Sequence, residues 1–522
     1  MRARPSHRRV QGGTLIMSLL VLSLLALVAA HTLRRVEPKL RMVYQTAGWQ
    51  EARVAAEAGV DVAMGELSRN AVGHGMGSWT HWRQENNGVI GTVLDTTLST
   101  VNSVLSLLGG PARISQPIFL DNLRVSVASG MDAATDVQLW AVYPDGSSQN
   151  RWFRIRSMAT CSLPAQTYTA PSKLDAKLRR YSLRQLRPQL SADDVGLPMD
   201  VSNPSSSRTI EVLVEPIMPF ELAILTKDAM SLSTSGVWTV DSFDSRDAAK
   251  SAPDGTYPGR TSPLVQENGH IASNLTAPPT SPYAALIAAR GTRVRGIVAT
   301  NGGDDPNTSD RENVSGAIAV DPQRVRSDFY RDLPTPNRPP QGLILPAPIL
   351  GLPFVAGPEA APTQYVVGGD LGGFSVIGPP VGKGAITIIV NGGLNVTSPI
   401  RIPPNTTAQI YVSGDIDFHS SEVNSSPGDS RRAANLQIYG EAPASAREAL
   451  RAANGASITA AFYGPGYDIK FTDDVAWSGA VVGRTFEMLG GGTSGFHYDE
   501  ALAKVGAPIG FRIVRYVEDV RR

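Results

Sequence analysis

Few residues in this chain have types and spacings that could support chemistry. The most suggestive run is His497-Tyr498-Asp499-Glu500. A histidine beside carboxylates could act as a general base or a metal ligand. No second His or Cys stands at ligand spacing. No GxSxG elbow accompanies it either, since Gly491-Gly492-Thr493-Ser494-Gly495 has the wrong order. The expected role of this run is a structural cap on the last unit of the fold, with its polar groups bonding exposed backbone. Asp241, Asp244 and Asp247 repeat every third residue and offer hard oxygens to Ca2+, but that ion needs six or more ligands. Ser242 and Ser245 interleave, which favours a turn network. The oxygen-rich stretch 304–312 lacks the EF-hand pattern and reads as a solvated loop. Gly382-Lys383-Gly384 lacks the glycine and hydroxyl that a phosphate loop requires. Cys161 is the only cysteine, so intrachain disulfides and CxxC metal sites are excluded, and a buried packing role is expected. Trp49, Trp79 and Trp82 are read as packing residues rather than a carbohydrate platform. No cofactor is expected, and the role inferred is non-enzymatic.

The elements that must position these residues are mostly strands. The 522 residues suffice for two or three domains, and 50 glycines with 38 prolines suit short strands joined by turns. With 48 basic and 47 acidic residues, the net charge of +1 gives no sign of a nucleic-acid partner. Residues 70–91 read as a loop. Leu94, Leu98, Val101, Leu105 and Leu108 predict an amphipathic helix over 92–108. Near-alternating segments at 123–128, 137–143, 152–158, 179–186 and 210–215 predict an antiparallel sheet. From about residue 219 short apolar runs recur beside Gly and Asn. Ten prolines between Pro322 and Pro362 exclude helix and central strand, and predict an extended linker or crossover. Strand texture then resumes. Gly414, Gly440, Gly464 and Gly483, spaced 26, 24 and 19 apart, suggest stacked strand–turn–strand rungs of a solenoid. The Ala- and Glu-rich insert 441–454 reads as a short surface helix.

The N-terminus carries the clearest physical signal. Residues 13–30 are uncharged and apolar, and Arg2, Arg4, Arg8 and Arg9 precede them without an acid. That length approaches a bilayer core, and the charge bias keeps the start cytoplasmic and the body outside. A cleaved secretory signal, with Val28-Ala29-Ala30 at its end, is one reading. The other is a retained helix. Residues 39–69 continue in helical pattern, with apolar Val43, Ala47, Val54, Ala58, Val62 and Leu67 between charges, and Pro38 is expected to bend the whole.

The junction Gln11-Gly12-Gly13-Thr14-Leu15-Ile16 and the segment Gln50-x6-Glu57-Ala58-Gly59-x3-Ala63 resemble PilX-type minor pilins and K-type minor pseudopilins. The resemblance implies cleavage by a prepilin peptidase at Gly12, Gly13 and Thr14, leaving the apolar helix attached. Most pilins carry Glu at the fifth mature position. Here Met17 or Ser18 stands there, which resembles the exceptional subunits at a filament tip. Four further segments resemble the uncharacterised domain found behind PilX-type N-termini: 240–245, 462–465, 479–483 and 496–502.

The fold expected is α+β and then all-β, a long pilin-like helix on an antiparallel sheet followed by a β-solenoid-like domain. The bounds are a leader at 1–13, the transmembrane and amphipathic helix at 14–69 and a pilin-like α/β domain at 70–218. Beyond these come a first β-rich part at 219–321, the Pro-rich linker at 322–363, the solenoid-like domain at 364–503 and a tail at 504–522. The function implied is a minor pilin or pseudopilin in a type IV pilus or type II secretion filament. Its partners would be other pilins, the prepilin peptidase and the bacterial inner membrane. The rivals are a signal-anchored or secreted β-helix adhesin and a carbohydrate-active enzyme; the enzyme would need carboxylates converging on one face.

Overall fold

The computed structural model describes residues 11–71, 83–84, 113–114, 118–126, 132–143, 152–162, 205–234, 238–276, 286–288, 292–302, 307–308, 324–338, 344–346, 353–419, 422–424, 432–442, 447–490 and 495–519. The predicted helix 92–108 and the predicted strand 179–186 lie outside them, as does most of the predicted loop 70–91.

Strong helix formers fill the N-terminal region, and one helix runs unbroken from Gln11 to Ala71, through Pro38. Its second half lies on an antiparallel sheet. The strand order there is Arg83–Gln84, Ile118–Ser126, Asp132–Tyr143, Trp152–Ser162, Ser205–Ile217 and Gly510–Asp519. Burial alternates along Trp152–Ser162, which places Phe153, Ile155, Ala159 and Cys161 in the core shared with the helix. The helix uses only part of the apolar stripe expected from sequence, keeping Leu67 but not the valines. Val43, Val54 and Val62 are exposed, whereas Ala52, Ala55, Ala56, Val60, Ala63 and Leu67 are buried. Small residues win this face because they let the helix axis come close to the sheet. A Cβ on Gly59 would fall on Ser157 Oγ and lie 2.7 Å from Thr135 Cγ2. Thr135 Oγ1 donates to the Ala55 carbonyl at 3.1 Å.

The expected C-terminal tail is corrected. Gly510–Asp519 is an edge strand of this sheet, paired antiparallel with Ser205–Ile217.

Between these two strands the chain builds three ladders of parallel strands. The first runs through Ile344–Pro346, Thr363–Val367, Gly384–Val390, Thr406–Val412, Leu436–Gly440 and the middle of Ser457–Thr472 and Ala476–Gly490. It continues through Ile224–Thr226, Ile271–Ser273, Val298–Thr300 and Val325–Arg326. The second includes Leu394–Val396, Ile416–His419, Ala449–Ala453 and Met230–Thr234. The third includes Glu422–Val423, Gly495–Asp499, Trp238–Phe243 and Thr292–Val294. The chain visits the ladders in turn, and apolar residues of all three meet in one core around Trp477, Phe471, Phe486 and Phe496.

The order of stacking differs from the order of sequence. The chain enters at Ile224–Thr226, in the middle, and builds toward Val325–Arg326. It then crosses to the far end and returns, so that Ala476–Gly490 docks on the strands where it began. Residues 329–338 make the crossing. Phe329 N–H bonds Thr300, Tyr463 Oη donates to the Pro334 carbonyl at 2.7 Å, and Arg338 reaches Glu441 and Ser413. From Val298–Thr300 to Gly384–Val390 the first ladder takes seven strand steps, about 34 Å at ~4.8 Å each. Nine residue steps reach about 30 Å only if fully extended, and the Arg338 side chain reaches on to Asn391 Oδ1, just past Gly384–Val390, at 3.4 Å. Pro334 and Pro336, with their fixed φ, suit this demand.

Two further expectations change. Strand structure resumes inside the predicted linker, at Ile344–Pro346, Phe354–Val355 and Gly357–Pro358. The predicted helix over 441–454 contains instead the strand Ala449–Ala453, because parallel pairing on both sides buries Leu450 and Ala452 and overrides Ala's helix preference. Residues 443–446 of that segment lie outside the described residues.

Candidate functional site

The first candidate site is the helix itself. Ile16–Leu33 is a strongly apolar stretch, none of it buried. Its 18 residues rise about 27 Å, enough for a bilayer core. Two of its hydroxyls find acceptors inside the helix: Ser23 Oγ donates to the Leu19 carbonyl at 2.8 Å and Thr32 Oγ1 to that of Val28 at 3.0 Å. Hydroxyls satisfied in this way are compatible with lipid. Beyond the span, Val36, Leu40 and Val43 remain exposed up to the point where Gly48 and Ala52 meet the sheet. Gly12, Gly13 and Thr14 lie in the first turn of this helix and Met17 and Ser18 in the exposed stretch. Cys161 sits under the helix, fully buried, with Sγ 3.8 Å from Glu51 Oε2.

The second candidate is where the last strand turn meets the first. His497, Tyr498, Asp499 and Glu500 are brought together with Asp241, 256 residues away from His497. The cap expectation is corrected. Gly495–Asp499 is not at an end of the stack but lies between Ala476–Gly490 and Trp238–Phe243, because the chain entered in the middle. All four residues bond across this seam. His497 Nδ1 donates to Asp241 Oδ1 at 2.7 Å, and Tyr257 Oη donates to Asp241 Oδ2 at 2.8 Å. The Tyr257 ring stacks on His497, with centroids 3.5 Å apart. Tyr498 Oη donates to the Phe220 carbonyl at 2.8 Å. Asp499 Oδ1 accepts from the N–H groups of Ser245 and Ala501, and Glu500 accepts from Ser242 and Asn268. Gly495 makes room for the imidazole, since a Cβ there would lie 2.5 Å from His497 Cε1.

Burial raises the Asp499 carboxyl above the usual carboxylate range, against the pull of the two N–H donors. Burial and the Asp241 charge raise the Tyr257 phenol. With Asp241 fully buried and Tyr257 over the imidazole, this arrangement joins two distant chain turns under the loop 244–270. Asp244 and Asp247 do not converge on Asp241. Asp244 accepts from the Arg246 N–H and Asp247 from the Ala249 N–H, each in its own turn. Among the described residues no group of three or more His, Cys, Asp or Glu side chains gathers for a metal. Tyr257 was missed from sequence; it has no motif, and only the fold of the loop brings it to Asp241.

The family described as "Domain of unknown function (DUF7305)" matches residues 381–505. No curated protein matches the chain. Among solved structures, the competence-associated pilin ComZ from Thermus thermophilus aligns over 91% of this chain and 98% of that chain, with 8% identity and a TM-score of 0.25.

Proposed function

We propose that this chain is a pilin-like subunit, processed by a prepilin peptidase, anchored in the bacterial inner membrane and assembled with other pilins or pseudopilins. The observation that carries the proposal is the division of one helix. Its first half is apolar and uncovered, and its second half is buried on an antiparallel sheet. Such a helix holds a subunit in lipid and then offers the same face to neighbouring helices when lipid is left behind. The three ladders are read as a solenoid body carried outward, with no catalytic role. Met17 or Ser18 at the fifth mature position supports a place at the filament tip. A buried carboxylate would need a partner, and a subunit lacking it needs none.

Site-specific photo-crosslinking tests the assembly. A crosslinker at Val43, exposed and beyond the span, is expected to yield an adduct with an identified pilin or pseudopilin helix, while one at exposed Lys470 on the body should not. Absence of pilin adducts at Val43 in cells that assemble filaments would count against the proposal.

A further inference from the structure

The sheet and the ladders are joined by two chain segments, 218–223 and 505–509. A backbone hydrogen bond from Ile509 N–H to the Ile217 carbonyl, 2.9 Å, holds them side by side. Two short segments so joined form a hinge unless side chains fix them.

Glu221 lies in the first of these segments, and its carboxylate meets three different parts of the molecule. Oε1 accepts from the Met218 N–H at 2.9 Å, within the segment itself. Oε2 accepts from Arg331 Nη2 at 2.9 Å, on the crossing segment, and from Arg512 Nη1 at 3.3 Å, on the C-terminal edge strand. Arg512 Nη2 also contacts Glu215 on the neighbouring strand. The Arg331 and Glu221 side chains are only 9% and 14% exposed. Arg331 is itself fixed, because its N–H donates to Asn274 Oδ1 at 3.0 Å. The crossing segment is anchored far away by Arg338 on Glu441.

We propose that Glu221 is the lock of this joint: one carboxylate ties the segment 218–223, the crossing segment and the C-terminal strand, so that sheet and ladders move as one body. Removing the charge leaves Arg331 and Arg512 without their common acceptor, and a nearly buried guanidinium deprived of its partner is strongly disfavoured. The joint then opens locally while the sheet and the ladders keep their own cores. The inference holds for any function of the body, because it concerns only how the two parts are coupled.

The test is hydrogen–deuterium exchange on the full chain in detergent, comparing wild type with Glu221→Gln and, independently, Arg512→Gln. Glu221→Gln keeps an acceptor for the Met218 N–H. Arg512 is half exposed, so its replacement should not prevent folding. Both variants are expected to raise exchange about tenfold, equivalent to about 1.4 kcal/mol, in peptides covering 218–223 and 505–509. Strands Trp152–Ser162 and Ser457–Thr472 should exchange as in wild type. Unchanged exchange at the joint in both variants would overturn the proposal. So would a uniform rise across sheet and ladders, which would make Glu221 an ordinary contributor to global stability.

Discussion

Gly59 sets how closely the helix can approach the sheet, and replacing it separates two opposing effects. In Gly59→Ala the helix gains about 1 kcal/mol of propensity. The new methyl would fall on Ser157 Oγ and lie 2.7 Å from Thr135 Cγ2 and 2.9 Å from Val137 Cγ2. All three neighbours belong to strands of the sheet core and cannot retreat together. Overpacking of this kind costs about 1–3 kcal/mol. The expected net change is a loss of about 0–2 kcal/mol, from these two ranges taken together. Ser157→Ala removes the atom in closest conflict, so the double variant should recover part of the loss, with a coupling of about 0.5–1 kcal/mol. The assay is urea unfolding of the full chain in detergent, followed by helical circular dichroism and by hydrogen exchange of the Ala52–Leu67 helix segment. A Gly59→Ala chain more stable than wild type by the full helix propensity, with no coupling to Ser157→Ala, would refute the close approach.

Three further outcomes are expected. Asp499 has its carboxyl pKa raised by burial, so the native state holds that proton more tightly than the unfolded state, and this group's contribution to stability falls as pH rises through its native pKa. Asp499→Asn should therefore gain most over wild type at neutral pH, and the gain should vanish on acidification; a difference independent of pH would contradict this. Tyr257→Phe leaves Asp241 Oδ2 without its donor in a buried place and should cost about 1–3 kcal/mol, measured by urea midpoint, with a loss under a few tenths as the opposing result. Trp477→Ala removes an indole stacked between Phe471 and Phe496 and should cost about 3–5 kcal/mol; a change below about 1 kcal/mol would show that the ladders do not share one core.

The parts of the fold legible from sequence were those governed by local pattern. The helix was plain from a long apolar run and the Ala- and Glu-rich stretch after it. Strands near 137–143, 152–158 and 210–215 were visible because one side of each faces the helix and alternates. Three things were not legible, each for a long-range reason. The buried helix stripe is mostly alanine and glycine, with only Val60 and Leu67 larger, and the small residues carry little hydropathy and are chosen for closeness. Gly510–Asp519 has no local signal that it pairs with a strand some 300 residues earlier. The chain's entry into the middle of the stack also left no mark on any single segment, so His497-Tyr498-Asp499-Glu500 was expected at an end and lies at the seam. The proline-rich crossing, by contrast, could be foreseen as extended, because fixed φ angles allow little else.

The central claim is that the apolar helix stays attached to the exported body. Mass spectrometry of the mature N-terminus, on protein from the membrane fraction, tests it most directly. The expected first residue is Gly13 or Thr14, with Ile16–Leu33 retained. A first residue of His31, after cleavage behind Ala30, would contradict it and leave the ladder-bearing body a free exported protein.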